Sequence, residues 1–259
     1  MTRLKLHISP CPNDTFMFDA LINRRIDTGA LQFDVEYHDI EELNANALGC
    51  NSHADISKVS CAILPSIASS YTLLESGAAL GRGNGPLLVK RRGEDSPLRQ
   101  IATPGLHTTA SALVKKLCPQ VEQQHPMLFS EIAAAVARGE FDGGVLIHEG
   151  RFVYDKLDLE LVCDLGLLWE ERFDLPLPLG AIVMRSSIDQ ATRTNFERLL
   201  RQSIEYGFAN PFASRTYIKE HAQELDDEVI DKHIDLFVNK YSLHLGDLGH
   251  QAINTLSTR

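Results

Sequence analysis

Cysteine is scarce in this sequence, and its spacing does not suit a covalent framework. The five cysteines are odd in number, lie at positions 11, 50, 61, 118 and 163, and form no CxxC pair. A disulfide-stapled secreted fold and a structural zinc site are therefore not predicted. We expect most of these thiols to be small buried apolar groups.

Excess basic charge is also lacking. Asp and Glu number 35 against 25 Lys and Arg, which gives a formal net charge of −10. The densest basic cluster, residues 90–92, is followed at once by Glu94 and Asp95. A surface that contacts nucleic-acid phosphates is therefore not predicted.

Long hydrophobic runs are absent as well. No segment approaches the ~20 apolar residues of a transmembrane helix, and "MTRLKLHISPCPND" at the N-terminus has no apolar stretch typical of a secretory signal. We expect a globular protein that makes no membrane contact and stays in the cytoplasm.

Several catalytic motifs are missing too. The ten histidines include no HExxH pattern, and no GxSxG occurs. The glycine-rich "GRGNG" at 81–85 continues into Pro86 and an apolar run, without the helix that a dinucleotide fingerprint requires. We expect no catalytic metal, and a turn or hinge at 81–85.

What is present is a regular alternation of strand and helix patterns. "LKLHIS" and "LQFDVEYHDI" alternate like strands, while "DTFMFDALINRR" and "EELNANALG" have helical patterns. A second unit of this kind begins near residue 93, and the chain is helical from Ser187 onward, with Ser187 and Gln190 as a capping box. The pattern predicts an α/β protein.

The order of these units predicts two lobes. Residues 1–91 and 177–259 form lobe one, residues 92–176 form lobe two, and "GRGNGPLLVKR" and "LPLPLGAIVMRSS" provide two crossover strands. Two α/β lobes that face each other across a hinged cleft are the arrangement of bilobed solute-binding proteins.

Three polar helix starts are candidates for binding an anion. They are the turn "SPCPNDTF" with Asn13 or Asp14 as its cap, Ser60 before "CAILPS", and Thr108 or Thr109 before "ASALVKK". Free N–H groups at a helix start favour a carboxylate or phosphate. Each is more often a plain cap, but together they are placed to converge on one anionic ligand.

Two further residues have both a structural and a chemical interpretation. Cys11 lies near a helix start, where its thiol pKa can fall. Pro10 and Pro12 fix the backbone around it, and we favour a packed turn cysteine. His148 ends the strand pattern "GGVLIH" and is either structural or a neutral imidazole at the cleft.

Taken together, several segments carry a family resemblance. "SPCPNDTF", "SKVS", "AALGRGNGPLLV", "PGLHTTA", "GVLIHEGRF", "DLGLLWEERFDLPLPLGAI" and "AQELDDEVIDKHIDLFVNKYSLHLG" occur in this order over nearly the whole chain. In this combination the sequence resembles the 1,4-dihydroxy-6-naphthoate synthases of the futalosine route to menaquinone.

The resemblance implies a fold and an activity. The fold is the type II periplasmic-binding-protein-like fold, used here as a cytoplasmic enzyme. The activity is that of a lyase without cofactor or metal, which converts cyclic dehypoxanthine futalosine to 1,4-dihydroxy-6-naphthoate and releases a dihydroxyacetone-type product. The general base would be His148, followed after Glu149 by Gly150, where relatives can carry serine.

The resemblance also implies a set of substrate contacts. These are Lys58, Ser60, Thr109 and Ala110, with Asn13 and Asp14 in the polar turn. The substrate would be a small anion, bound by a monomer or a homodimer. Two alternatives stay open from the sequence: a sister enzyme similar to chorismate dehydratase, and a non-catalytic binding protein for a small anion.

Overall fold

The computed structural model describes residues 2–49, 54–83, 85–147, 154–222 and 226–258. These residues form two β-sheets with helices packed against them. The strands are β1 (Thr2–Ile8), β2 (Leu31–Tyr37), β3 (Ile56–Ser60), β4 (Tyr71–Leu73), β5 (Ala79–Gly81), β6 (Leu87–Arg91), β7 (Gln100–Thr103), β8 (Gln123–Pro126), β9 (Gly143–Leu146), β10 (Leu159–Asp164) and β11 (Leu177–Arg185).

The first sheet has the order β2-β1-β3-β11-β4, and β5 also pairs with β11. Its β1 is parallel to β2 and β3, whereas β11 is antiparallel to β3, β4 and β5. The second sheet has the order β10-β6-β9-β7-β8. There β7 is parallel to β8 and β9, and β6 is antiparallel to β9 and β10. The predicted α/β class is therefore confirmed.

The α-helices are α1 (Pro12–Ile22), α2 (Ile40–Leu48), α3 (Leu64–Ile67), α4 (Thr109–Leu117), α5 (Phe129–Ala137), α6 (Leu165–Phe173), α7 (Gln190–Ala209), α8 (Arg215–His221), α9 (Asp227–Phe237), α10 (Lys240–Leu243) and α11 (Gly246–Ser257). Short 3₁₀ helices cover Cys61–Ile63 and Tyr154–Leu157. Within the described residues, no helix combines the length and apolar character needed to cross a bilayer.

The helix starts correct two cap predictions. Asn13 or Asp14 was the predicted N-cap of α1, but the N-cap residue is Cys11, so Asn13 and Asp14 lie inside the first turn. Pro12 suits the first helical position because its missing N–H is not needed there. In α7 the N-cap residue is Asp189, whose carboxylate accepts a hydrogen bond from Thr192 N. The predicted capping box of Ser187 and Gln190 is therefore wrong.

At α4 the cap prediction is confirmed. The Thr108 hydroxyl accepts from Ser111 N at 3.2 Å. This bond satisfies one of the free N–H groups in the first turn of the helix.

The chain passes twice between the sheets, from β5 to β6 and from α6 to β11. The first connection contains the glycine-rich segment, which leads from strand to strand as expected for a turn; Asn84 lies outside the described residues. Because β6 pairs with β9 and β10, the second sheet begins at Leu87, before the predicted boundary at residue 91. The lobe limits otherwise stay a prediction.

A hydrophobic core extends from the second sheet to the C-terminal helix. It contains Leu113 of α4, Trp169 of α6, Leu177 of β11 and Ile253 of α11. The indole of Trp169 is fully buried and donates to the carbonyl of Pro176 at 3.2 Å. This packing holds the connection from α6 to β11, which is the second passage between the sheets, and so helps to set how the two sheets are placed.

Candidate functional site

A cavity lies between the two sheets and brings together residues from both. It contains about 720 Å³ of space not filled by atoms, a figure that includes the part open to solvent. Among the residues that line it are five of the predicted contacts: Asn13, Lys58, Ser60, Thr109 and Ala110. The three polar helix starts singled out in the sequence therefore meet at one place.

Asp14 is fully buried behind this wall and organises it. Its Oδ2 accepts from Ser9 N at 3.1 Å and from Ser9 Oγ at 2.8 Å. Its Oδ1 accepts from Asn13 Nδ2 at 2.9 Å and from Lys58 Nζ at 2.5 Å. A carboxylate has about four acceptor positions, so these four donors use its capacity. Asp14 therefore holds other residues in place and has no free acceptor for a ligand.

Lys58 connects this buried carboxylate to the cavity. It lies in β3, all of whose residues are buried, and its side chain is only 6% exposed. On the neighbouring β11, a Cβ at Gly180 would lie 2.7 Å from Lys58 Cε, so the glycine leaves room for the lysine chain. An ammonium group has three N–H donors, and Asp14 takes one of them. No second acceptor for it occurs in the described part of the chain, so the other two are available to a ligand in the cavity.

His233 is a lining residue that the sequence analysis did not single out. It lies in α9, is 1% exposed, and its Nε2 is 3.1 Å from Asn13 Oδ1. Ile230 and Phe237 are buried on the same helix, so His233 occupies the apolar face of an amphipathic segment. The only sequence signal was this polar residue at a core position.

Ser60 is held at the end of β3 by Asn44, a second residue missed in the sequence. The amide of Asn44 donates to Ser60 Oγ at 2.9 Å and its oxygen accepts from Ser60 N at 2.8 Å. Asn44 is fully buried on α2. Because Ser60 Oγ acts as an acceptor in this pair, its own O–H is left to donate into the cavity.

The hydroxyl of Thr109 bonds to the protein itself, so it is the backbone of this residue that can contact a ligand. Its Oγ1 donates to the Leu179 carbonyl at 2.7 Å and accepts from Ala62 N at 3.3 Å. The side chain therefore ties α4 to β11 and to the 3₁₀ helix after β3. The backbone N–H groups of Thr109 and Ala110 have no intrahelical acceptor, since they lie in the first turn of α4. Those groups offer an anion site.

His148, the predicted base, lies outside the described residues, as do the neighbouring Glu149 and Gly150. The chain is described up to Ile147, which follows β9 and lines the cavity. The role of His148 therefore stays a prediction.

Two cysteines occupy the helix starts near this site. Cys11 is partly exposed at the start of α1, where its carbonyl accepts from the Thr15 hydroxyl at 3.0 Å. Cys61 is fully buried after β3, and burial raises the pKa of its thiol to about 12, against a smaller opposing effect of Lys58. Cys61 is therefore a thiol at neutral pH, which agrees with the expectation of a packed apolar group.

Comparisons with known proteins agree with this architecture. A family described as menaquinone biosynthesis matches residues 4–259. A protein from Streptomyces coelicolor named 1,4-dihydroxy-6-naphthoate synthase is 41% identical over 99% of this chain and 92% of its own length. A protein of the same name from Thermus thermophilus is 40% identical over 99% of this chain and 93% of its own.

Solved structures confirm the predicted fold. A crystal structure from Archaeoglobus fulgidus covers 98% of this chain and 95% of its own, with 32% identity and a TM-score of 0.90. A Candida albicans protein described as having the generic periplasmic binding protein fold covers 99% of this chain and 90% of its own, with a TM-score of 0.73 and 13% identity. The second likeness concerns the fold alone.

Proposed function

The chain belongs to the menaquinone biosynthesis family, with the 1,4-dihydroxy-6-naphthoate synthases, and we propose that the cavity between its sheets is where this reaction takes place. The reaction converts cyclic dehypoxanthine futalosine to 1,4-dihydroxy-6-naphthoate and releases a dihydroxyacetone-type product. The observation that carries the proposal is the meeting of Lys58, Ser60, Thr109 and Ala110 in one cavity between the two sheets.

The substrate's carboxylate binds at the start of α4 in this proposal. The free N–H groups of Thr109 and Ala110 point from a helix N-terminus, which favours negative charge. Lys58 adds a cation whose position is fixed by Asp14, and Ser60 adds a hydroxyl fixed by Asn44. Groups held in this way lose little entropy when they bind a ligand.

The carbon–carbon bond is broken when a base removes the proton of a hydroxyl on one of its two carbons: the O–H electrons form a new carbonyl, and the electrons of the carbon–carbon bond stay with the other fragment. We assign this step to His148, because a neutral imidazole has a pKa suited to proton transfer near pH 7. Its chain neighbour Ile147 lines the cavity, which supports the assignment. The electrons of the broken bond pass to an oxygen as an enolate. Donors held around the cavity stabilise that charge, and formation of the aromatic ring favours product.

The proposal is tested by incubating the purified protein with cyclic dehypoxanthine futalosine. We expect a naphthoate product, identified by its absorbance and mass, together with the three-carbon product. Chorismate serves as the second substrate, because a dehydratase would act on it and a synthase would not. Tight binding of the cyclic substrate without any product would favour the binding-protein alternative and contradict the proposal.

We also propose that the enzyme acts in the cytoplasm on small anionic molecules, as a monomer or a homodimer. The net charge of −10 supports a small-molecule substrate over a nucleic acid. Light scattering on the purified protein distinguishes the two assembly states. A membrane-associated fraction in cells would contradict the location.

A further inference from the structure

A cluster of possible metal ligands lies at the end of β1 and β2, outside the residues that line the cavity. In the parallel pairing of these strands, His7 is directly opposite Glu36. His38 follows Glu36 by two residues, and its backbone N–H donates to the carbonyl of Ile8 at 3.1 Å, which continues the pairing of the two strands. Since side chains alternate along a strand, residues 36 and 38 share the face on which His7 lies.

The distances within this cluster suit a tetrahedral metal ion. Glu36 Oε2 is 3.4 Å from His7 Nε2 and 3.4 Å from His38 Nε2. Ligand atoms at about 2.0–2.1 Å from a tetrahedral Zn²⁺ are separated by ~3.3–3.5 Å from one another. One ligand atom from each of the three residues lies within 4.8 Å of the other two. Small side-chain movements would therefore bring all three to one ion.

His7 is the residue that a structural role explains least. Its side chain is only 7% exposed, and neither ring nitrogen has a hydrogen-bond partner among the described residues. Buried polar groups normally have such partners. The Nε2 atom lies 3.4 Å from Glu36 Oε2 without making a hydrogen bond to it, so it is close to the other two candidate ligands and still has its lone pair or N–H unused.

The surroundings of the cluster include a second carboxylate. His38 Nδ1 is 3.6 Å from Glu42 Oε2, on the ring side away from Glu36. A carboxylate that accepts the second N–H of a metal-binding imidazole orients the ring and raises its basicity, and a small movement of Glu42 would bring it within hydrogen-bond distance of His38 Nδ1. Lys5 and Asp55 also act on His7, with charges of opposite sign. The net charge around the cluster is negative, which favours a cation.

We propose that His7, Glu36 and His38 form a binding site for a divalent transition-metal ion of the zinc class, with Glu42 as a positioning residue. Two imidazoles and one carboxylate favour Zn²⁺ over Mg²⁺ or Ca²⁺, which prefer all-oxygen sites. The site is not part of the proposed reaction, for which the sequence predicted no metal. It links the C-terminal ends of two strands just before Ser9, the residue that holds Asp14.

The test measures metal binding directly. The purified full chain, stripped with a chelator, is titrated with Zn²⁺ by calorimetry and with Co²⁺ by visible absorption, because tetrahedral Co²⁺ has strong visible bands. We expect one ion per chain and an increased melting temperature, since the ion binds the folded state. His38→Gln and Glu36→Gln should each weaken Zn²⁺ binding at least tenfold and abolish the tetrahedral Co²⁺ spectrum. Glu42→Gln should weaken binding less.

The chain offers a matched control. Glu75 also lies between two histidines, but its Oε2 is 3.3 Å from His244 and its Oε1 is 2.7 Å from His250, so the two imidazoles meet opposite oxygens. His250→Gln should therefore leave Zn²⁺ binding and the Co²⁺ spectrum unchanged.

Three results would overturn the proposal. They are the absence of Zn²⁺ binding by the native chain, unchanged Zn²⁺ affinity in His38→Gln and Glu36→Gln, and loss of binding in His250→Gln alone. Because Glu36 and His38 do not line the cavity, naphthoate formation should continue in both variants. The experiments on metal binding can thus contradict the metal site without contradicting the proposed function, and the activity assay can contradict the function without contradicting the metal site.

Discussion

His107 Nδ1 lies 2.7 Å from Glu41 Oε1, and this pair joins α2 to the turn before α4, beside the cavity residues Ile40 and Thr108. Glu41 belongs to α2 and also accepts from His107 N at 3.2 Å. The carboxylate packs against Gly105, where φ is +140° and a Cβ would lie 2.3 Å from the carboxylate carbon. The turn before α4 therefore leaves room for the Glu41 side chain of α2.

We expect Glu41→Gln to raise KM severalfold with little change in kcat. An amide accepts the same hydrogen bonds less strongly, so the turn that leads to Thr109 and Ala110 is held less firmly against the first lobe. Steady-state kinetics with the cyclic substrate measures the effect. Glu122→Gln is the control, because its exposed ion pair with Arg99 lies within one lobe. An unchanged KM in Glu41→Gln would contradict a role for this contact.

Lys58→Met should destabilise the protein by about 3–5 kcal/mol, the usual result of removing one partner of a buried ion pair. It leaves the Asp14 carboxylate buried without its cation, although Ser9 and Asn13 still donate to it. Chemical denaturation measures the change in the free energy of unfolding.

The double variant Asp14→Asn, Lys58→Met separates stability from function. Without the buried charge, we expect it to regain much of the lost free energy of unfolding. Its turnover should stay low, because the ammonium that we propose as a substrate contact is still absent. Full activity in the double variant would limit Lys58 to a structural role.

Much of the site could be predicted because its residues lie at element junctions. Ser60 ends a buried strand and Thr108 precedes a helical pattern, and both features are local in sequence. The convergence of these junctions follows from the α/β order, since the ends of parallel strands and the starts of the following helices meet at one edge of a sheet.

The residues that were missed act over long sequence separations. His233 contacts Asn13 across 220 positions, and no local pattern reports such a contact. The cap of α1 was mispredicted because two acidic or amide residues follow Pro12, and their capping preference concealed the better fit of proline at the first helical position.

His148→Asn should fold normally and bind the cyclic substrate but lose turnover by at least a hundredfold, the range of general-base contributions. Asparagine keeps hydrogen-bonding capacity but cannot accept the proton. Circular dichroism and substrate calorimetry verify folding and binding, and rapid-quench kinetics measures the rate. A near-native rate would remove His148 from the mechanism.

Cysteine labelling should distinguish the two thiols near the site. Because burial raises the pKa of Cys61 to about 12, we expect almost no thiolate there at pH 7 and no labelling by iodoacetamide in the folded protein.

Cys11→Ser should keep most activity, since we assign the thiol to packing in the turn. Loss of all activity with an intact fold would make Cys11 a nucleophile instead.

Gly85→Ala should destabilise the protein more than Gly83→Ala, although the two glycines belong to the same connection. A Cβ at Gly85 would lie 2.0 Å from the backbone N of Gly166, at the start of α6, and neither backbone can move without displacing a passage between the sheets. We therefore expect a loss at or above the ~1–3 kcal/mol of ordinary overpacking. Gly83 has open space around it but a φ of +69°, so its substitution should cost only ~1–2 kcal/mol of backbone strain. Equal losses in the free energy of unfolding of the two variants would show that the close approach of Gly85 to Gly166 does not restrict the side chain at position 85.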